Sequence, residues 1–348
     1  MAKNTIKKEI YVTFSAFALI ALLVLVIASN GIASGKPTKI KIAHTTAKET
    51  AVDLFAVAFK DYVEQHAPGE FAIKIHPNSV LGGQKDTTEQ CMKGIIEMVF
   101  TPIGTMAVFE PTIGAFTLPY IFPDMVTAWR ILNPDNLLMV ELRKRLIERH
   151  GIRLLGIGTG ANFRSFANTK RRIRTPADLK GLKIRTIKSD IQVHTTEALG
   201  AIPTPIAWGE LYTALQTGVV DGTKNSIGDI VDMHFDEVIK YITLDNHSPL
   251  ENFWFMNENF YQSVSKETQA VFNNAGRFAT IVTKGVNYQI IRRNTKKWLD
   301  VGNDIYHPTS DEKKLFVKKV EPVYKWFGEK HGDFWLKRLR NAIDELKE

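Results

Sequence analysis

One cysteine, Cys91, is all that the 348 residues contain. No intrachain disulfide can form, and no multi-cysteine zinc or iron–sulfur site can be built. A chain this long holds substantial cores without cross-links. The nine histidines form no HExxH. Their closest pairing, His194 with Glu197, has the i, i+3 spacing of a surface pair. No GxSxG elbow and no GxxxxGK[ST] loop occurs, and Cys91 lies inside a helical pattern beside Met92. No segment has the composition of disorder, and no repeat of 20–50 residues appears.

Gly156-Ile157-Gly158-Thr159-Gly160 follows a strand-like run and invites a nucleotide reading. The spacing is GxGxG, however, and Ala161 and Asn162 stand where a dinucleotide fingerprint needs its last glycine or its helix. A strand leading into a hinge is the expected role. The formal charge is +8. The first 33 residues hold three lysines and one glutamate, leaving +6 for the rest. Those basic residues are scattered, and the cluster Lys170, Arg171, Arg172, Arg174 is short and lacks interleaved aromatics. A solvated basic surface is expected, not a nucleic-acid partner.

The N-terminus differs from the remainder. Lys3, Lys7 and Lys8 precede an uncharged run from Tyr11 to Ala28, and small residues follow from Ser29 to Gly35. Residues 1–35 thus have the parts of a signal peptide, with mature protein expected to start between Ser29 and Lys36 and to reside in the periplasm. The run's length also suits an uncleaved anchor. No cysteine lies near the candidate cleavage site, which excludes a lipoprotein.

Downstream, period-two and helical patterns alternate. Lys39 to His44 and Phe71 to His76 read as strands, Thr50 to Glu64 as a helix, Lys85 to Gly94 as a second helix, and Glu97 to Thr101 as a third strand. The pattern restarts with strands at Ile152 to Ile157 and Lys183 to Thr186. A helix follows from Ser189 to Leu199, then an extended stretch from Pro203 to Ile206. Trp208 to Gly218 reads as a helix, Val219 to Thr223 as a strand, and Asn225 onward as helix. The spacing predicts an α/β molecule of two lobes, with mostly parallel strands and a cleft at their carboxyl ends. Helical segments at Thr268 to Lys297 and Asp311 to Leu346 are expected to strap the lobes together. Arg185 ends a strand, where its planar fork can grip a carboxylate by two hydrogen bonds, or can join a surface ion pair.

The densest signal runs from Ala161 to Asn225. It contains Asn162-Phe163-Arg164-Ser165-Phe166-Ala167-Asn168, then Thr175-Pro176-Ala177-Asp178-Leu179-Lys180-Gly181-Leu182-Lys183-Ile184-Arg185. It continues through Leu199-Gly200-Ala201 and Pro203-Thr204-Pro205 to the run Gly209-Glu210-Leu211-Tyr212-Thr213-Ala214-Leu215-Gln216-Thr217-Gly218-Val219-Val220-Asp221-Gly222. This resembles the signature of solute-binding subunits of TRAP (tripartite ATP-independent periplasmic) transporters, the dicarboxylate- and sialate-receptor family. Leu81-Gly82-Gly83, Phe116 to Phe122 and Asp236 to Tyr241 extend the likeness.

The resemblance implies a type II-like periplasmic binding protein with a hinge and a long C-terminal helix spanning both lobes. Residues 36–160 plus about 250–285 would form lobe I, and 161–249 plus about 286–348 lobe II. It implies a monomeric receptor, not an enzyme, that needs no cofactor or metal and passes a small organic acid to a small and a large membrane subunit for ion-gradient-driven uptake. Arg185 falls on the family's carboxylate clamp and Arg164 on its second cleft arginine. Asn225 falls on the amide ending VDGxxN, though the same residue suits a helix cap. Trp208 falls on an aromatic that lies on the ligand or in the core. Tyr212, one turn on, is a hydroxyl donor or a packing residue. His44, Gln84 and Thr101 match lining positions from lobe I. Thr101-Pro102 stand where sialate-type receptors carry a carboxylate, which puts sialate itself in doubt. An organic-acid-modifying enzyme or an anchored sensor on the same scaffold is the alternative. An enzyme would need a general base, for which His44 and His247 are the suspects.

Overall fold

The structure, a computed structural model, describes residues 36–346, the side chains of residues 159–162 excepted. The N-terminal segment read as signal peptide or anchor lies outside the described residues. Among the described residues no helix is long and apolar enough to cross a membrane.

The chain starts with β1 (Thr38–Ala43), α1 (Ala51–His66), β2 (Phe71–His76), α2 (Gln84–Met92) and β3 (Met98–Pro102). Thr50 sets the start of α1 by accepting a hydrogen bond from the Asp53 N–H, as a good N-cap does. Helices follow: α3 (Ile103–Met106), a 3-10 segment at Pro111–Thr117, α4 (Met125–Ile131) and α5 (Leu137–His150). Gly151 ends α5 in the left-handed region at φ 62°, which glycine adopts without strain.

β4 (Ile152–Asn168) is far longer than the strand expected at Ile152 to Ile157, and Asn162 to Asn168 belong to it. Then come β5 (Lys183–Thr186), α6 (Asp190–Ala198), β6 (Ile202–Pro205), a 3-10 turn at Trp208–Glu210, α7 (Leu211–Gln216), β7 (Gly222–Asn225) and α8 (Ile227–Asp232). A second long strand, β8 (Tyr241–Asn257), leads through α9 (Glu258–Ser263) to α10 (Lys266–Asp300). β9 (Asp304–Tyr306), α11 (Ser310–Lys319), α12 (Glu321–His331) and α13 (Phe334–Glu345) complete it.

The strands form one sheet in the order β2-β1-β3-β8-β4-β7-β5-β6, with β9 beside β8. The wings are parallel, as expected: β1 with β2 and β3, and β5 with β6 and β7. The centre is not, because β8 runs antiparallel to β3 and β4, and β4 to β7. The two long strands pass from one half of the sheet to the other. Their register breaks between Thr159 and Phe163.

Period-two alternation on β8 divides the cores. Phe253 and Phe255 enter a cluster that also holds Phe116, Phe166, Ile184 and Phe327, from both halves. Trp254 and Met256 face the other way, onto Phe55, Phe59 and Phe272. A third cluster, around Trp208, Leu211, Phe235 and Trp298, belongs to the second half. Helix α10 packs on α1 and β4 and also on α8 and β9, so it straps both halves.

The glycine-rich run has a packing cause. A side-chain carbon on Gly156 would collide with the Phe55 ring and lie 2.9 Å from the Gly276 carbonyl oxygen, and one on Gly158 would lie 3.2 Å from Trp254 Nε1. Phe55 stacks on Trp254 with ring centroids 4.6 Å apart. These glycines let an aromatic pair and α10 approach the sheet.

Candidate functional site

β5 ends at the cleft between the halves, and Arg185 stands there with 2% of its surface exposed. Its Nε donates to the Ile206 carbonyl at 2.9 Å. Its guanidinium lies 5.4 Å from the Trp208 ring centroid. No other hydrogen bond engages it among the described residues, so both Nη nitrogens remain open.

Arg164, on β4, is 6% exposed and donates from Nη1 to the Lys224 carbonyl at 3.1 Å. Burial lowers both guanidinium pKa values, Arg185 to about 9 with a further push from Arg164, and Arg164 to about 10 against the pull of Asp229. Among the described residues neither arginine has a carboxylate within ion-pair distance. Two cations buried together without an anion are costly, and the arrangement suits an anion brought from outside.

Two cavities meet here. The inner one, about 30 Å³, is lined by Arg164, Arg185, Asn225, Asp229, Asn252 and Trp208, among others. The outer one, about 380 Å³, shares Gln84, Arg185, Ile187 and Trp208 with it and adds Thr45, Thr105, Val108 and Ile206. Asn225, at the end of β7, accepts from the Ser226 N–H at 3.1 Å through Oδ1. Trp208 rests edge-on against Phe235 at 5.2 Å, and its buried indole N–H has no partner. Gln84 opens α2, takes a hydrogen bond from Thr105 Oγ1 at 3.0 Å and gives one to Thr45 Oγ1 at 3.2 Å.

The structure therefore gathers Arg185, Arg164, Asn225, Trp208 and Gln84. It places three other candidates elsewhere. Tyr212 lines neither cavity, and its hydroxyl donates to Glu237 Oε2 at 2.7 Å on the surface. Its ring packs with Trp208 on Phe235, with centroids 6.3 Å apart. Thr101 is buried and shares a hydrogen bond of 2.8 Å with Thr88, while its neighbours Phe100 and Pro102 line the inner cavity. Strand alternation decides which of them faces in.

His44 lies behind the wall, 3.0 Å from Asp53 Oδ1 and 3.2 Å from Thr46 Oγ1. His247 is buried against Asp245 at 2.8 Å, and desolvation lowers its pKa. Neither suspected base lines a cavity.

Thr46, Asp229, Asn252 and Ile187 were not anticipated. For Asp229 a signal existed. Ser226 and Asp229 have the spacing of a capping box, and Ser226 does cap α8 by accepting from the Asp229 N–H at 3.1 Å. That cap holds Asp229 beside Asn225. Lys224, also unanticipated, is buried and donates to the Gln192 carbonyl at 2.9 Å.

Residues 42–331 match the model of the bacterial extracellular solute-binding proteins, family 7. The chain belongs to that family. This solute-binding protein is 29% identical over 335 residues to the C4-dicarboxylate-binding periplasmic protein DctP of Rhodobacter capsulatus, covering 94% of this chain and 98% of that one. It is also similar to a solved TRAP periplasmic solute-binding protein from Sulfitobacter with bound β-D-galacturonate. The TM-score there is 0.83 at 26% identity, covering 88% of this chain and 99% of that one. A third is a TRAP periplasmic solute-binding protein from Bordetella with density assigned to pantoate, at a TM-score of 0.82 and 28% identity, covering 88% and 99%. The two-lobed α/β fold of the solute-binding protein is thus that of TRAP receptors.

Proposed function

We propose that the protein is the extracytoplasmic receptor of a TRAP-type transporter and that it holds a small organic acid between its lobes. Arg185 clamps the carboxylate, and Arg164 and Asn225 assist. The observation that carries the reading is a buried guanidinium with open Nη nitrogens, between the lobes, with no carboxylate within ion-pair distance among the described residues. A carboxylate offers two parallel acceptors to that fork. Closing the lobes excludes water and strengthens the pair. The relatives' ligands, a C4-dicarboxylate, galacturonate and pantoate, are all carboxylates.

In this reading the protein works as a monomer in the periplasm, exported by its N-terminal segment, and delivers its load to two membrane subunits. Capture without turnover is part of this reading, which the solute-binding family supports. Calorimetric titration with a panel of carboxylates, followed by recovery of the bound acid, tests this. A carboxylate that binds with micromolar or better affinity and returns unchanged supports it. Chemical conversion of the acid, or no binding of any carboxylate, refutes it.

A further inference from the structure

A further concavity lies away from the cleft and shares no lining residue with the two cavities there. It is an open groove of about 1450 Å³ on the second half. One wall is the 3-10 turn Pro176–Leu179 with the end of α6, and the other is α11 with the start of α12. An ion pair of 2.9 Å between Arg174 and Glu312 ties the approach to that turn onto α11. Carbon surface comes from Pro176, Ala177, Ala198, Leu315 and Pro322. Leu315 is 49% exposed, while its neighbour Phe316 is buried.

Lysines rim this surface. Lys318 and Lys319 follow Leu315 at the i+3 and i+4 positions, on the same face of α11. Lys325 rises from α12, and Lys180 from the opposite wall. Glu321 is the one acid among the lining residues. Several cations on the same elements are matched by acids: Lys314 by Asp311, Lys325 by Glu329 and Lys330 by Asp190. The ammoniums of Lys180, Lys318 and Lys319 have no carboxylate within ion-pair distance among the described residues.

Size and charge decide what kind of occupant fits. Small-molecule sites run to roughly 300–1,000 Å³, and this groove is larger. A flat lipid surface would rest on the lysine rim and leave the carbon floor wet. Two such grooves face to face would oppose lysine to lysine, which costs rather than stabilises. A protein helix reaches the floor with an apolar stripe, and acids flanking that stripe meet the lysines.

We propose that this groove docks an acidic amphipathic helix of a partner protein. Its apolar stripe lies on Leu315, Ala177 and Pro322, and its carboxylates face Lys180, Lys318 and Lys319. Helix α12 also packs on the 3-10 segment Pro111–Thr117 of the first half, so the docked helix holds an element that touches both halves. The site is separate from whatever solute the cleft takes.

A fluorescein-labelled helical peptide of about 18 residues, five turns, tests it, with leucines at i, i+3 and i+4 spacing on one face and glutamates elsewhere. A control peptide carries lysines in place of the glutamates. Fluorescence polarisation with the protein should give the glutamate peptide a Kd at least about tenfold lower, and salt should weaken it. Lys318→Glu combined with Lys319→Glu should raise that Kd about tenfold or more, and Leu315→Ser about threefold. Lys318, Lys319 and Leu315 are exposed, so thermal melts of these variants should match wild type. Amide hydrogen exchange should show peptide-induced protection at residues 176–180 and 315–325.

Equal Kd for the two peptides overturns the proposal. So does an unchanged Kd in the double-glutamate variant, or protection confined to another surface. Binding to vesicles of phosphatidylcholine and phosphatidylglycerol but not to the peptide would assign the groove to a lipid surface. A concentration-dependent dimer abolished by Leu315→Ser would assign it to a second copy. Either result also overturns it.

Discussion

Removing Arg185 should weaken ligand binding strongly and leave the empty protein about as stable as before. A guanidinium pushed by burial from its ordinary value down to about 9 carries a folding penalty of about 1.4 kcal/mol per pH unit of displacement, about 5 kcal/mol as an upper bound. The sign follows from the depressed value. The unfolded chain holds its proton up to a higher pH than the folded one, so the penalty is complete at neutral pH and fades only as pH rises above about 9. Against it stands the Nε bond to the Ile206 carbonyl, about 1.5–3 kcal/mol for a charged donor, plus packing on Trp208 worth about 1 kcal/mol. The opposing effects nearly cancel, so Arg185→Ala without ligand should lie within about 2 kcal/mol of wild type.

Binding responds differently. Arg185→Lys keeps the charge and loses the fork, and should cost about ten- to a hundredfold in Kd. Arg185→Ala should cost more than a hundredfold, because the carboxylate is then desolvated without a cation. Denaturant unfolding with and without saturating carboxylate reads both quantities. An alanine variant that is about 3–5 kcal/mol less stable when empty would mark a structural ion pair instead. Affinity near that of wild type would remove Arg185 from the site.

Further consequences are open to test. Asn225→Ala should weaken carboxylate binding about tenfold, whereas Tyr212→Phe, which only frees Glu237 from its hydrogen bond, should change Kd less than about twofold in the same titration. A side-chain carbon on Gly276 would collide with the Leu155 carbonyl oxygen, so Gly276→Ala should destabilise by about 1–3 kcal/mol and lower Tm, read by calorimetric melting. Burial raises the Glu251 carboxyl above its ordinary value while Lys284 pulls it back. The folded state then keeps a proton that the unfolded state has lost, so stability falls as pH rises above about 4.5. Glu251→Gln should flatten that slope between about pH 5 and pH 8 in denaturant titrations, and parallel slopes would count against it.

The parallel wings were legible because β1, β2 and β5 alternate or run short between clear turn signals. The centre was not. β8 is buried along most of its length, so Pro249 to Met256 shows no alternation to separate strand from loop. β4 was truncated in reading for a related reason: its glycines look like a hinge but accommodate Phe55 and α10. Arg185 could be placed at the cleft because a strand end and the family signature coincide there, whereas Arg164, inside β4, had the signature alone. Thr101 was one residue off, and in a strand that moves a side chain to the opposite face. Asp229 was hidden because its visible pattern is that of a helix cap, and only the tertiary fold brings that cap beside Arg164.

β8 lies between β3 and β4 in the sheet, although it follows all the other strands of that order in the sequence. Without β8 the sheet would fall into two fragments, β2-β1-β3 and β4-β7-β5-β6, that share no strand pairing. Neither lobe is a continuous piece of polypeptide, so neither can be finished and stored while the other is synthesised. Tyr241–Asn257 is the segment that joins the two edges into one sheet.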